Sequence, residues 1–464
     1  MNDITMHDAF VPQGCERALQ PQGAVTVSAG TIGIQAYDAV TTKGGKYVQG
    51  GGCLSVGLAG LVQSGGFGSY SKHYGSAAGS LLEAEVVTAD GQIRVANACT
   101  NPDLFWALKG GGGGTFGIIS RMTLRLHDLP EFFGFVNFKI KASSDDAYRR
   151  LIRQFVSFYS EHLYNDQWGE QAELVPDNTL EIKMVSHGLD REEVNKVWQP
   201  FLNWVTQSRH AYSIQGRVNI GSLPAQHMWD VAWWKQHWPE VVFPSNGSRF
   251  IGLFDDALAH LRQPILELDD RPGAGANNAW WKGDGGQVAW FIWGYESLWL
   301  PVSLLETDAR QQRLADALFA GSRYSAVGLH FNKGLAGGPT TAIAATKDTA
   351  MNPAVLTSFA LAIVADGQGP AYPGIPGYEP SVDAGRKAAE CIDQCISLLR
   401  AVVPEPGAYL SESNYFEKKW QQAYWGSNYP RLAKIKRKYD PGGLFFVHHG
   451  VGSEEWSPDG FVKL

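Results

Sequence analysis

The chain has 464 residues, of which 44% are hydrophobic and 18% are charged, and its formal net charge is −7. This length and composition predict two folded domains and exclude long disordered tails. The acidic balance argues against nucleic acid as a partner, and no apolar stretch is long enough to cross a bilayer. We therefore expect a small molecule as the partner, and neither nucleic acid nor a membrane.

Glycine crowds into the first quarter of the chain, at residues 50–52, 65–68 and 110–114. Strand-like apolar segments accompany these clusters, at residues 25–29, 83–88 and 118–126. The pattern predicts a strand-rich α+β domain that ends near Pro130. Glycines in such clusters let the main chain approach another group closely.

The segment at residues 50–75 reads GGGCLSVGLAGLVQSGGFGSYSKHYG and holds nine glycines. Its main-chain N–H groups can reach a flat, polar ligand. It fits neither the GxGxxG pattern nor the P-loop pattern, so those modes of nucleotide binding are not supported. A glycine-rich turn beside a core cysteine, Cys53, is the alternative interpretation.

A second domain is predicted after Pro130, because apolar and polar residues alternate around positions 136, 138 and 140 as in a half-buried antiparallel strand. Ser144 is the expected N-cap of a helix whose apolar stripe includes Tyr148 and Phe155. Further strands are expected at residues 179–185, 287–293, 326–331 and 355–364. One antiparallel sheet backed by helices fits this order.

Residues 367–380 are rich in Pro and Gly and are predicted to form a loop, followed by a helix that carries Cys391 and Cys395. These two cysteines share an apolar helical stripe, which is compatible with buried cysteines or with a metal-binding pair. The five cysteines of the chain are widely spread, so their pattern does not resemble a disulfide framework.

Two features of the middle region suggest contact with a ligand. The sequence HFNKG ends a predicted strand and can place His330 or Lys333 at the site, although a histidine at a strand end also serves structural roles. Tryptophans can stack on a sugar or an aromatic ring, or pack in the core. They are dense here: Trp233, Trp234, Trp280, Trp281, Trp290 and Trp293.

Three segments resemble the berberine bridge enzyme-like branch of the vanillyl-alcohol oxidase flavoprotein family. They are GGGCLSVGLAGLVQSGGFG, DLFWALKGGGGGTFGIISRMTLRL and, in the C-terminal tail, WQQAYWGSNYPRLAKIKRKYDPGGLF. The resemblance implies an α+β fold in three parts. Residues 1–130 match the C-terminal part of a PCMH-type FAD-binding domain, residues 131–405 a substrate-binding domain, and residues 406–464 a segment that packs back on the FAD domain.

The resemblance also implies how FAD is held. Cys53, followed by Leu-Ser-Val-Gly, matches the family's cysteine that bonds C6 of the isoalloxazine ring, a bond that needs a thiolate. A buried free cysteine is the alternative. Val56 matches the position that controls access of oxygen. The other residues expected beside the flavin or its adenosine half are Ser55, Gly57, Gly60, Gly65, Gly66, Gly68, Val86, Ile118, Asn428 and Tyr429, and helix capping is the alternative for Asn428.

The expected catalytic base departs from the pattern of many relatives, which carry Tyr-x-Asn-Tyr with the second tyrosine as the base. The matching residues here are Tyr409, Leu410, Ser411 and Glu412. Glu412 stands at the position of the base, and a carboxylate can serve if burial raises its pKa. Tyr409 and Tyr415 are the other candidates, and an exposed glutamate in an acidic loop is the alternative.

The family's glycine-rich pyrophosphate loop and flavin-bonding histidine have no counterpart in the 52 residues before Cys53. We therefore expect a chain shortened at its N-terminus, through a late start of the gene model, a deliberate fragment or a relative that lost flavin binding. The first residues lack the features of a secretory signal, and cytoplasmic and secreted locations both stay open.

The function implied by the resemblance is FAD-dependent oxidation of a hydroxyl-bearing small molecule, a carbohydrate or an aromatic alcohol, with O2 reduced to H2O2. Two alternatives stay open. One is a non-catalytic relative that has lost FAD binding, and the other is a flavin dehydrogenase with a different electron acceptor.

Overall fold

The computed structural model describes residues 2–238, 265–285 and 288–464. The first part of the chain forms an antiparallel sheet from β1 (Ile4–Phe10), β2 (Gln22–Ser28), β3 (Lys46–Val48), β4 (Leu81–Val87), β5 (Ile93–Asn97) and β6 (Ile118–Asp128). The strand order is β1-β2-β6-β4-β5, with β3 paired to β6. The connecting helices are α1 (Gly33–Tyr37), α2 (Leu58–Gln63), α3 (Ser71–Tyr74) and α4 (Pro102–Leu108).

A second antiparallel sheet begins after Pro130. Its strands are β7 (Phe132–Ala142), β8 (Trp168–Val175), β9 (Thr179–His187), β10 (Tyr212–Pro224), β13 (Trp290–Pro301), β14 (Val327–His330) and β15 (Ser358–Pro370). They run in the order β10-β7-β9-β8-β14-β15-β13. The helices that share its core are α5 (Asp145–Phe158), α6 (Arg191–Gln207), α9 (Asp308–Ser322) and α11 (Val382–Arg400).

The smaller elements complete the described chain and connect its parts. They are α7 (Val231–His237), the paired strands β11 (Leu266–Leu268) and β12 (Ala279–Trp281), α8 (Lys282–Gly285), α10 (Thr340–Lys347), α12 (Trp420–Trp425) and α13 (Tyr429–Tyr439). The C-terminal helices pack on the first part of the chain, where Trp425 Nε1 donates to Gly110 O at 3.0 Å and Lys436 Nζ donates to Thr115 O at 2.7 Å. Within the described ranges, no helix has the length and apolar character needed to span a bilayer.

The predicted α+β class and the helix-backed antiparallel sheet are confirmed, as is the N-cap Ser144, whose Oγ accepts from Ala147 N at 3.2 Å. Two strand predictions need correction. The strand predicted at residues 287–293 begins at Trp290, and residue 287 lies outside the described residues. The strand predicted at residues 355–364 follows a 3₁₀ turn, Pro353–Leu356, and continues to Pro370. Pairing of Pro370 with Trp290 extends this strand into the Pro/Gly-rich segment, so the predicted loop starts later than residue 367.

The cysteine pattern does not resemble a disulfide framework, yet two of the five cysteines are paired. Cys15 and Cys99 form a disulfide between the segment before β2 and the segment after β5. Their spacing of 84 residues hides the pair in the sequence, because the sheet brings the two segments together. Cys395 is buried in the core of the second sheet.

Replacing both Cys15 and Cys99 by serine is expected to lower the free energy of unfolding by about 2–4 kcal/mol, because the disulfide closes a long loop in the unfolded chain. Urea unfolding of the oxidised protein and the variant measures the change. Cys391→Ser, on the half-buried face of α11, is the matched control. A double variant no less stable than this control would contradict the structural role of the bridge.

Lys72 of α3 is buried where the two parts of the chain meet. Its Nζ donates to Phe359 O at 2.9 Å and to Ala336 O at 3.1 Å, both in the second part. Burial lowers the pKa of Lys72 from 10.5 to about 7. The folded state therefore binds fewer protons than the unfolded state between these two values, so this group makes the free energy of unfolding rise with pH in that window.

Lys72→Met is expected to remove that rise, which amounts to about 1.4 kcal/mol for each pH unit within the window. Urea midpoints of the protein and the variant, compared from about pH 7 to about pH 9, isolate the contribution because other groups titrate equally in both. Lys434→Met, on the exposed face of α13, is the control. Parallel pH profiles for the protein and the Lys72 variant would contradict the prediction.

Candidate active site

Cys53 lies in the loop between β3 and α2, which main-chain hydrogen bonds hold against the start of α1. Gly33 N donates to Val56 O at 3.0 Å, and Ile34 N donates to Leu54 O at 2.9 Å. On the other side of the cysteine, the hydroxyl of Tyr37 donates to Gly51 O at 2.7 Å. The half-buried thiol of Cys53 is therefore presented from a loop fixed on both sides.

A turn from the second part of the chain covers this loop. Trp281 Nε1 donates to Gly52 O at 3.1 Å, and Leu54 N donates to a carboxylate oxygen of Asp284 at 3.2 Å. The same carboxyl group is a hydrogen-bonding partner of the Cys53 thiol. Burial, followed by the nearby Asp284 charge, raises the pKa of Cys53 to about 12, so the thiol is protonated at neutral pH.

Charged side chains converge on the same place. Lys333, just after β14, is buried and forms an ion pair with Glu412 of the C-terminal segment. Glu170 of β8 accepts a hydrogen bond from the hydroxyl of Ser69, and its backbone has a φ of 61°, a left-handed conformation that is uncommon for glutamate. Burial raises the pKa of Glu170, against the opposing effect of Lys333. One ammonium group thus faces two carboxyl groups near the thiol.

Tyr409 belongs to this group and Tyr415 does not. The hydroxyl of Tyr409 accepts from Gly66 N at 3.2 Å, and Lys333 Nζ lies 6.0 Å from the centre of its ring. Burial raises the pKa of Tyr409 to about 12, so the phenol keeps its proton. Tyr415 is 62% exposed and stacks on His448 at 4.0 Å.

A cleft of about 740 Å³ adjoins the charged group. The third glycine cluster, residues 110–114, forms one side of it at Gly112 and Gly113, and β13 and the C-terminal segment form the others. Tyr295 lines this cleft and also interacts electrostatically with Glu412 and Cys53. The volume of the cleft is within the range of small-molecule and cofactor sites.

The glycines near Cys53 fall into two groups. A Cβ added at Gly57 or Gly60 would meet nothing within 4 Å, so these positions face open space where a ligand can approach the main chain. At Gly65, Gly66 and Gly68 the Cβ would lie 2.6–2.8 Å from Met351, Ala77 or Gly50, so packing within the protein already requires glycine there. Ser55 and Val56 are both exposed on the rim of the loop.

The remaining expected flavin contacts lie elsewhere. Val86 is fully buried in the core of the first sheet, whereas Ile118 on the neighbouring strand is 63% exposed. Asn428 Nδ2 donates to Met351 O at 2.7 Å, and the Tyr429 hydroxyl donates to Glu454 at 2.5 Å. Asn428 occupies the N-cap position of α13, but its side chain makes no capping hydrogen bond.

Sequence reasoning missed three residues of the site. Asp284, Glu170 and Tyr295 come from separate strands and turns of the second part of the chain, outside every recognised motif. Of the dense tryptophans, Trp281 touches the Cys53 loop, whereas Trp234 is buried in the core. Of the two candidates in HFNKG, Lys333 reaches the site, whereas the ring of His330 lies against Gly328.

Two family models match the chain. The model described as FAD binding domain covers residues 16–97, and the model described as Berberine and berberine like covers residues 408–452. The VAO-type flavoprotein oxidase VAO615 of Thermothelomyces thermophilus is 28% identical over 446 residues, which are 95% of this chain and 66% of that protein. The chain therefore spans slightly less than two thirds of the length of this relative.

Solved structures share the fold. The crystal structure of the VAO-type flavoprotein MtVAO615 from Myceliophthora thermophila C1 aligns with a TM-score of 0.71 at 24% identity, over 98% of this chain and 71% of that one. The glucooligosaccharide oxidase of Acremonium strictum, described with a 6-S-cysteinyl, 8α-N1-histidyl FAD, aligns with a TM-score of 0.63 at 19% identity, over 97% and 80% of the two chains.

By fold and by its family matches together, the chain is similar to FAD-linked oxidoreductases, which combine a PCMH-type FAD-binding domain with a substrate domain built on an antiparallel sheet. Its cofactor is FAD. More specifically, the matches at both ends of the chain make it similar to the berberine bridge enzyme-like branch of the vanillyl-alcohol oxidase flavoprotein family.

Proposed function

We propose that this protein is an FAD-dependent oxidase that removes a hydride from a hydroxyl-bearing small molecule, a carbohydrate or an aromatic alcohol, and reduces O2 to H2O2. The observation that carries the proposal is the convergence of the Cys53 thiol with the Lys333–Glu412 ion pair. The carbohydrate class is supported by the glucooligosaccharide oxidase that shares the fold.

The residues present fit a flavin. Gly57 and Gly60 leave main chain open beside Cys53. Asn332, whose Nδ2 donates to Gly68 O at 3.1 Å, has a buried Oδ1 atom without a hydrogen-bond partner in the described chain. In the proposal, Cys53 bonds the ring and the loop at residues 50–60 lies along it. When bound, FAD accepts the hydride and passes the electrons on. Val56, 40% exposed and compact, stands at the rim of this loop where oxygen would enter.

Glu412 is the proposed base that takes the hydroxyl proton of the substrate. A side chain acting as general base needs to be within hydrogen-bond reach of that proton and to be ionised before the reaction. The ion pair with the ammonium group of Lys333 holds the Glu412 carboxyl group in place. Tyr409, which stays a phenol, is proposed to bind the substrate oxygen as a hydrogen-bond donor, and Tyr415 is proposed to stack on the substrate at the mouth of the cleft.

Purified protein incubated with FAD tests the proposal. We expect the absorbance of a protein-bound flavin, its bleaching under anaerobic conditions by one member of a panel of sugars and aromatic alcohols, and H2O2 when air is admitted. Bleaching without H2O2, but with reduction of a quinone dye, would show a dehydrogenase. A protein that binds no flavin at any FAD concentration would contradict the proposal and show a non-catalytic relative.

A further inference from the structure

The Cys53 thiol is poorly suited to react by itself. Its pKa of about 12 leaves a thiolate fraction of about 10⁻⁵ at neutral pH. A thiolate is nevertheless the form of cysteine that acts as a nucleophile. A group that removes the proton during the reaction would therefore have a large effect on any bond formed by this sulfur.

Asp284 is placed to remove the proton of the Cys53 thiol. Its carboxyl group contacts the thiol and is fixed by the hydrogen bond from Leu54 N, at 3.2 Å, one residue beyond the cysteine. Trp281, three residues before Asp284, is anchored to Gly52 O at 3.1 Å, one residue before the cysteine. The turn that carries the carboxylate is thus tied to the main chain on both sides of Cys53. Burial raises the pKa of Asp284, which makes it a better proton acceptor than an exposed aspartate.

We propose that Asp284 is the general base for the chain's own attachment of flavin to Cys53. The thiol proton passes to the Asp284 carboxylate while the sulfur electron pair forms the bond to C6 of the ring. The hydrogen at C6 leaves as a proton, and the two electrons gained by the ring pass to O2, which becomes H2O2. The net change joins one thiol and one ring C–H with loss of two hydrogens to O2. This inference rests on the proposed function, because it requires that the site bind FAD.

If Asp284 is a base, Asp284→Asn changes two rates in opposite directions, the rate of Cys53 alkylation and the rate of flavin attachment. Asparagine keeps an oxygen for Leu54 N but carries no charge, so the pKa of the thiol falls and alkylation of Cys53 by iodoacetamide becomes about tenfold faster or more at neutral pH. Covalent attachment of added FAD needs the proton acceptor and becomes about 10²-fold slower. Alkylation is followed by mass spectrometry of the Cys53 peptide, and attachment by flavin fluorescence of the denatured chain.

Controls separate the possible failures. Asp284→Glu keeps the carboxylate and is expected to recover part of the attachment rate, and Asp383→Asn, fully exposed in the first turn of α11, is expected to change neither rate. If both rates rise in Asp284→Asn, the carboxylate only raises the pKa of the thiol and the base role is overturned. Equal attachment rates in the protein and the variant overturn it as well. No attachment even in the unaltered protein overturns covalent flavin binding itself, while the alkylation rates still report whether Asp284 contacts the thiol.

Discussion

Replacing Cys53 by alanine is expected to abolish covalent flavin attachment, so that acid precipitation releases all the flavin from the variant and leaves it on the unaltered protein. The sulfur of Cys53 is the atom that the loop presents half-buried beside open main chain at Gly57 and Gly60. Alanine removes the nucleophile without changing the main-chain hydrogen bonds on either side. Flavin fluorescence of the denatured chain after electrophoresis measures the effect, which is all or none.

The control for this experiment is Cys391→Ser, because Cys391 is also half-buried but lies on α11 of the second part of the chain. We expect this variant to keep its flavin. Cys53→Ala should still bind some FAD without a covalent bond, seen as absorbance that is lost on dialysis. Flavin that stays on denatured Cys53→Ala would mean that another residue forms the bond. That result would contradict the role of Cys53 in attachment but not the binding of FAD.

The sequence predicts the parts of this site that lie in local motifs. Cys53 is recognised from the resemblance of its glycine-rich segment to the family, and Tyr409 and Glu412 from their match to the family's C-terminal pattern. The class of fold and most strands follow from alternation and turn residues, which are local as well. These signals fail where pairing between strands far apart in the sequence determines the length of a strand, as in the extension of β15 to Pro370.

The contacts that give the site its chemistry join residues far apart in the chain. Leu54 and Asp284 are 230 positions apart, Ser69 and Glu170 are 101 apart, and Lys333 and Glu412 are 79 apart. Such pairs depend on how the two sheets pack against each other, which local periodicity does not specify. A lone aspartate in a short turn after β12 has no feature in the sequence that distinguishes it from a surface residue.

Glu412→Gln is expected to lower the rate of flavin reduction by substrate about 10²- to 10⁴-fold, because glutamine keeps the size of the side chain but accepts no proton. FAD binding should be unchanged, since the amide can still accept a hydrogen bond from Lys333. Stopped-flow bleaching under anaerobic conditions, with the best substrate from the panel, measures the rate. Glu390→Gln, exposed on α11, is the matched control and is expected to reduce flavin at the unaltered rate.

The partner variant Lys333→Met gives the role of Glu412 a second test through pH. Without the ammonium group, burial of Glu170 is no longer opposed and its pKa rises further, so the substrate-dependent rate should need a higher pH to reach its plateau. Lys333→Arg keeps the charge and should restore most of the original profile. If Glu412→Gln instead reduces flavin as fast as the unaltered protein at every pH, Glu412 is not the base. The two remaining carboxyl and phenol groups that face Lys333, Glu170 and Tyr409, then become the candidates to replace one at a time.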